Sequence, residues 1–457
     1  MPSTLGTPDQ LRDPDHLPPL PQAAALGIQH VLAMFAANIA VAVIVASAAG
    51  LGPGSAREAD GLPEMTYLIQ VSMLFAGVAT LLQSLGAGKV GARLPIVHGT
   101  SFAFIPIMVP LVAGKGVEGM AMLTGGVLAG GLLHVALGAV ILRIRFAFPP
   151  LVTGTVVLMI GLTLLPVGIQ YAAGGAALAG TQAFGGWQSW SMALLVIAVT
   201  LVLGFATRGI WSLASVLIGL IAGWLYALAL GQVSLSPVAQ AGWLAAPVPL
   251  RFGIEFHAAA VIGFCLMAMV SAVETLGDVS GVTKGGADRL PSGREIAGVT
   301  YGNGFATLIA GAFGGLPSTS FSQNVGLIAM TGVMSRYVTA LGALFLILCG
   351  LIPKAGAVVA SLPIEVLGGA VIVMFGMVCA AGIRLLKDIG WTRRNMTILG
   401  LSLSAGLGLY QEPQALQHLP ELPRLLLATG LVPAAVIAIT LNLALPGRER
   451  EAMNEKA

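Results

Sequence analysis

Stretches of about twenty mostly apolar residues, the length of helix that crosses a bilayer core, recur from residue 26 to residue 445 of this 457-residue chain. No other feature limits the fold so strongly, because backbone N–H and C=O groups at membrane depth must be satisfied inside helices or closed barrels. The pattern gives fourteen candidate spans. The clearest are 26–47, 66–86, 119–142, 150–169, 190–206, 211–230, 258–283, 336–352, 365–386 and 424–445, and shorter ones lie at 99–113, 296–313, 323–334 and 394–409. Only 9% of residues are charged and the mean hydropathy is +0.91, against about 25% charged residues in a soluble domain. A soluble globular class is thereby excluded, and the expectation is an all-α polytopic membrane protein.

Lys and Arg set the orientation, since cytoplasmic loops carry their excess. With the N-terminus inside, Arg57, Lys115, Arg251, Lys354 and Arg424 fall outside and the remainder of the 22 fall on the cytoplasmic side. Both termini are therefore expected in the cytoplasm and the protein in the cell membrane. Residues 1–25 are Pro-rich with mixed charge and do not read as a signal peptide; they are expected to be a loose tail, as are 447–457. Cys265, Cys349 and Cys379 show no CxxC spacing, so neither a disulfide framework nor a metal site is expected. No basic, aromatic-interleaved patch suggests nucleic acid, and no cofactor is expected.

Two short polar phrases interrupt this apolar chain, Thr-Ser-Phe-Ala-Phe at 100–104 and Thr-Ser-Phe-Ser-Gln at 319–323. Each follows a Leu-Pro pair, Leu94-Pro95 or Leu316-Pro317. They open the third and tenth candidate spans, about half the chain apart, as broken helices do in transporters built from two repeats. Thr100 to Phe104 reads as a short extended segment. Such backbone is tolerated at depth only where protein or a water-filled cavity satisfies it. Two such segments can pair and leave two half-helix N-termini facing one centre. The alternative is that each phrase is a Pro/Gly-kinked helix start with its hydroxyls bonded back to carbonyls.

Ionisable side chains inside spans are few. Glu274 and Asp278 stand at i and i+4, one above the other on a helix face. Intramembrane carboxylates cost about 2.5–3.5 kcal/mol on insertion scales and mark substrate or proton paths; the other reading is a carboxylate pair fixed by hydroxyls such as Thr275 and Ser280. Gln323 and Asn324 open the tenth span, where capping explains one amide better than two. Gln29 and His30 open the first, and a lone His there is more often a packing residue than a proton carrier.

At these residues the chain resembles the nucleobase-ascorbate transporter family, also called nucleobase:cation symporter-2. The carrying motifs are QNVGLIAMTG at 323–332, QHVLAMF at 29–35, ETLGD at 274–278 and the segment 350–383, and the likeness runs from 25 to 445. It implies fourteen spans as two inverted repeats of seven, with short paired strands in spans 3 and 10. A core domain would comprise 26–148 and 257–353, and a gate domain 149–256 and 354–446. It further implies a proton-coupled importer, a homodimer in the bilayer. Gln323 followed by Asn324 fits the xanthine and uric acid branch, as does Asp278. An amide offers donor and acceptor to a purine edge, whereas an ionised Glu only accepts. The substrate set is then Glu274, Gln323, Ser322, Phe102, Ser101 and Ala103, with Asp278, His30, Asn324, Asn303 and Gln29 coupling or supporting. The chain departs from the family pattern at Ala42, His98 and Ser318, and at Asn303, where Asp is typical and which cannot titrate.

Three other functions compete. Uracil or another pyrimidine remains open within the same family. Anion carriers of the related fold bind anions mainly on helix dipoles, and Glu274 argues against them. An intramembrane enzyme would need a paired Asp or a Ser–His arrangement, and no such constellation is found.

Overall fold

Among the described residues helices form nearly all of the regular structure, and the one sheet has just two strands of three residues each. In this computed structural model the described residues are 5–51, 58–387 and 389–446. The expected tail 447–457 and the outside residue Arg57 lie beyond them.

The chain runs through α1 (Pro8–Arg12), α2 (Leu20–Ala48), α3 (Glu58–Leu85), β1 (His98–Thr100), α4 (Ile105–Val112), α5 (Gly116–Ile144) and α6 (Pro150–Ala172). It continues with α7 (Trp187–Ala206), α8 (Ser215–Ala229), α9 (Ala258–Ala287), α10 (Gly293–Ala312), β2 (Ser318–Ser320) and α11 (Gln323–Thr331). Then follow α12 (Arg336–Gly350), α13 (Pro353–Ala360), α14 (Ile364–Leu386), α15 (Arg393–Gln411), α16 (Glu421–Ala428) and α17 (Leu431–Ala444). Among the described residues α2, α3, α5, α6, α7, α9 and α14 are each long and apolar enough to cross a membrane. Two bent pairs, α12 with α13 at 79° and α16 with α17 at 84°, reach that length only when joined. The protein is thus a multi-pass membrane protein. Of the shorter candidate spans, 296–313 and 394–409 hold helices of 20 and 19 residues, whereas 99–113 and 323–334 hold short ones: at 1.5 Å per residue, the eight residues of α4 and nine of α11 cover less than half of a bilayer core of about 30 Å.

The chain divides into two compact units, residues 1–141 with 166–374 and residues 142–165 with 375–457. In the first, α12 packs along α3 and α2, and α9 lies against α10, α11, α4 and β2. Its centre is a cluster of Leu94, Ile96, Val279, Val282, Val299, Ile328 and Met334, all buried. This cluster holds the segment entering β1 against α9, α10 and α11. In the second unit Leu151, Val152, Leu386, Ile398 and Ala438 form the core, and Arg394 on α15 donates to the Asn442 carbonyl of α17 at 2.7 Å.

The N-terminal segment is not loose. Thr7 and Gln10 close a capping box on α1, the Leu11 and Pro14 carbonyls accept from the N–H groups of Met334 and Arg336 at 2.8 and 3.0 Å, and Asp15 pairs with Arg336 at 2.6 Å. Leu5 and Leu11 pack on Val333 and Val338. Apolar residues at the right spacing inside a polar tail anchor it, which its charge and proline content obscured. The first long apolar helix, α2, accordingly starts at Leu20, not at residue 26.

Candidate functional site

The two polar phrases meet in space. β1 and β2 are antiparallel with His98 opposite Ser320, Gly99 opposite Thr319 and Thr100 opposite Ser318. The ladder is extended at both ends by Ser101 N–H to the Pro317 carbonyl (2.9 Å) and Phe321 N–H to the Val97 carbonyl (3.0 Å). A two-stranded sheet buried in a membrane protein has two edges to satisfy. Side chains from the flanking helices do this. The N–H of His98 donates to Thr80 Oγ1 on α3 (3.0 Å), that of Thr100 to Asn38 Oδ1 on α2 (2.8 Å), and that of Ser318 to Thr307 Oγ1 on α10 (3.1 Å). Gly99 lets the pair sit this deep: a Cβ there would fall about 2.6 Å from Asn38 Oδ1, Met34 Cε and Phe321.

The extended backbone lies slightly earlier than the sequence suggested. Phe102–Phe104, expected to be extended, forms a 3₁₀ turn that leads into α4, and Ser320 is followed after two residues by α11. Both half-helices therefore start next to the strand pair, where their N-terminal N–H groups bring positive potential. Neither has a side-chain cap, at Phe104 or at Ser322.

α9 brings the acids to this pair. Ser271, Thr275 and Asp278 recur at helical spacing and face β2: Ser271 Oγ donates to Thr319 Oγ1 (3.2 Å), and Asp278 accepts from Ser320 Oγ (2.5 Å, on Oδ2) and Ser322 Oγ (2.6 Å, on Oδ1). The hydroxyls that hold Asp278 are thus 42 and 44 residues away. Thr275 and Ser280, the neighbours weighed for that role, bond back to the carbonyls of Ser271 and Leu276. Glu274 sits one turn before Asp278 on the flank of this face; its Oε2 is buried and has no hydrogen-bond partner among the described residues. A buried carboxylate oxygen left so is costly, of order 1–3 kcal/mol or more.

Asn303 on α10 donates to Thr275 Oγ1 at 2.7 Å and is fully buried. Asn324 donates to the Pro95 carbonyl at 2.5 Å, tying α11 to the segment that leads into β1, and His30 lies against it from α2. Gln323 opens α11 half-buried; Phe102 is half-buried and Ala103 buried at the turn facing α9. Ser101 is buried and its Oγ has no hydrogen-bond partner among the described residues. Gln29 is half-buried on α2, and among the described residues no hydrogen bond joins it to the strand pair. Four supports were not anticipated: Thr80, Asn38, Thr307, and Gln83, whose amide donates to the Val299 carbonyl (3.0 Å) and accepts from Ala92 N–H (3.1 Å). Each is a polar residue within a mostly apolar run, Asn38 the most isolated, which was the available signal.

Paired strands between two half-helices, with acids from a neighbouring span, define a class of multi-pass membrane protein with broken helices around a buried polar centre. The transmembrane domain of a cyanobacterium bicarbonate transporter, BicA, shares the fold with a TM-score of 0.56 and 14% identity, over 90% of this chain and 97% of that one. The model of the Permease family, Xan_ur_permease, matches residues 21–415. A xanthine permease of Bacillus subtilis is 35% identical, covering 92% of this chain and 92% of its own. A uric acid transporter of Escherichia coli, UacT, is 33% identical over 99% of this chain and 92% of its own. The chain belongs to this permease family, the nucleobase:cation symporter-2 proteins.

Proposed function

We propose that the protein imports a purine nucleobase, xanthine or uric acid or both, by proton symport with an elevator-type alternation. The observation that carries this reading is the contrast between the two carboxylates of α9. Asp278 has both oxygens taken by serine hydroxyls, whereas Glu274, one turn away on the same helix, keeps a buried oxygen with no hydrogen-bond partner among the described residues. An acceptor placed so takes N–H donors from a base, and the half-buried Phe102 and Gln323 offer a stacking face and an amide edge. The relatives named for xanthine and uric acid support a purine.

Asp278 carries the transported proton in this reading. Ser320 Oγ lies 2.5 Å from Asp278 and 3.4 Å from Thr275 Oγ1. When Asp278 gains a proton and donates, Ser320 accepts it and turns its own hydrogen to Thr275. The proton then moves with little displacement of heavy atoms. His30 is the next candidate.

The fourteen-span, two-repeat arrangement goes with this proposal, with core at 26–148 and 257–353, gate at 149–256 and 354–446, both termini cytoplasmic and two copies in the cell membrane. Uptake of labelled xanthine, uric acid, uracil, adenine and hypoxanthine, at mildly acidic and mildly alkaline pH with and without Na⁺, tests it. Concentrative uptake of xanthine or uric acid that collapses with the proton gradient is the expected result. Preferential uptake of uracil, or dependence on Na⁺ alone, would overturn the corresponding part.

A further inference from the structure

A cavity of about 1030 Å³ lies apart from the strand-pair site, between α3, the 232–251 segment and the bend from α12 to α13. Thr66, Tyr67, Gln70, Val71 and Leu74 line it from successive turns of one face of α3. None of the residues placed at the strand pair lines it. Gln70 and Thr80 stand ten residues apart on the same helix, about 15 Å at 1.5 Å per residue.

Its chemistry is neutral. Arg251 reaches the wall, but its guanidinium forms a two-point pair with Glu64 (2.7 and 2.9 Å) and lies over the Tyr67 ring at 4.5 Å. The one cation among the lining residues is therefore compensated within the wall. What remains is neutral: serine and threonine hydroxyls and three amides, Gln70, Gln232 and Gln240, against a side made of Pro353, Ala357 and Ala360, with Gln70 Nε2 also reaching the Gly350 carbonyl at 3.5 Å. Gln240 is steadied by Ser236, to which it donates at 2.9 Å. Each amide offers a carbonyl and an N–H to a ligand edge. Apolar walls with a few convergent polar groups at this size are the composition of small-molecule sites, which run to about 1,000 Å³.

We propose that this cavity is a second binding place, an antechamber for a neutral planar heterocycle bearing adjacent C=O and N–H groups. It rests on the proposed transport function for that ligand class, and on the N-in topology, which puts the 232–251 segment on the outer face. The absence of an uncompensated charge sets it apart from the strand-pair site, where Glu274 selects by a charge-assisted bond. A base lodged here is held by neutral hydrogen bonds and contact with apolar walls, and so more weakly.

The test uses the full-length chain with Cys265, Cys349 and Cys379 replaced by alanine, Ser234→Cys as reporter in the cavity lining, and Glu274→Gln to disable the strand-pair site. A membrane-impermeant thiol reagent is added to intact cells with xanthine, uric acid or sodium chloride. At a base concentration about twice Kd, occupancy should slow labelling about threefold, with no effect of the salt. Gln240→Leu, which removes one neutral hydrogen bond, should weaken that protection about two- to tenfold. Trp224, whose Nε1 donates to the cavity residue Ser361 at 3.0 Å, gives a second readout without cysteine replacement. Its fluorescence should be quenched by xanthine in Glu274→Gln and the change lost in Trp224→Phe. Protection and quenching seen only with Glu274 intact would overturn the antechamber, since the effect would then come from the strand pair. A parent that imports none of the bases defeats the proposed function, whatever the labelling shows. A parent that imports them, with no protection in Glu274→Gln, defeats the antechamber alone.

Discussion

Glu274 and Asp278 are four residues apart on one helix, yet their surroundings separate them, because only Asp278 meets serines from the β2–α11 segment. If the uncommitted oxygen of Glu274 accepts from a base, Glu274→Gln forfeits charge-assisted bonds of about 1.5–3 kcal/mol each. Uptake should fall below detection while the protein still inserts; normal uptake by the inserted variant would remove Glu274 from the site. Phe102→Ala should weaken binding by about 1–3 kcal/mol, the range for stacking of bases on aromatic rings, and an unchanged Kd would place the stacking surface elsewhere. Gln323→Glu loses an N–H donor and adds a charge near Glu274, so purine uptake should drop more than any uracil uptake. Competition assays with the two bases read this difference, and equal losses would mean that Gln323 acts on the fold. The acids were legible because ionisable groups at membrane depth are rare. The different surroundings of the two were not, since these depend on which hydroxyls other elements deliver.

At the scale of elements, the strand pair depends on contacts that sequence spacing does not reveal. The Leu-Pro pairs and Thr-Ser-Phe phrases pointed to two interrupted spans, but the register opposing His98 to Ser320 is set by Thr80, Asn38 and Thr307 on three different helices. Gly99 is where this packing is tightest. Gly99→Val would drive a branched side chain into Asn38 and Met34, and overpacking of this type costs about 1–3 kcal/mol. The variant should melt at lower temperature in detergent and lose purine binding. Gly277→Ala on α9, where an added Cβ meets nothing within 4 Å, should keep the parental melting temperature. Equal melting of parent and Gly99→Val would show that the strand pair yields to the added bulk. The N-terminal segment teaches the same lesson: its charge and prolines read as a free tail, whereas Leu5, Leu11 and Asp15 dock it on 333–338.

For the whole molecule, coupling is the property in question: Asn303, fully buried and bonded to Thr275, cannot titrate, and the proposed function assigns the proton to Asp278. Asp278→Asn fixes an uncharged side chain that still accepts one serine hydroxyl. It should bind and exchange xanthine across the membrane yet fail to accumulate it against a gradient, with uptake no longer responding to pH. Accumulation equal to the parent with its pH response intact would pass the role to His30. By itself the sequence determined the membrane class, the recurrence of apolar helices, the two interruptions half a chain apart and the presence of acids at depth. These follow from transfer free energy and helix geometry, which sum locally along a chain. Only the tertiary structure decided that Ser320 and Ser322 hold Asp278 from 42 and 44 residues away, that Asn324 ties α11 to Pro95 across 229 residues, and that Glu274 keeps an unpartnered oxygen. A hydrogen bond is satisfied by whichever group packing brings within about 3 Å, and that choice is made between elements, not within them.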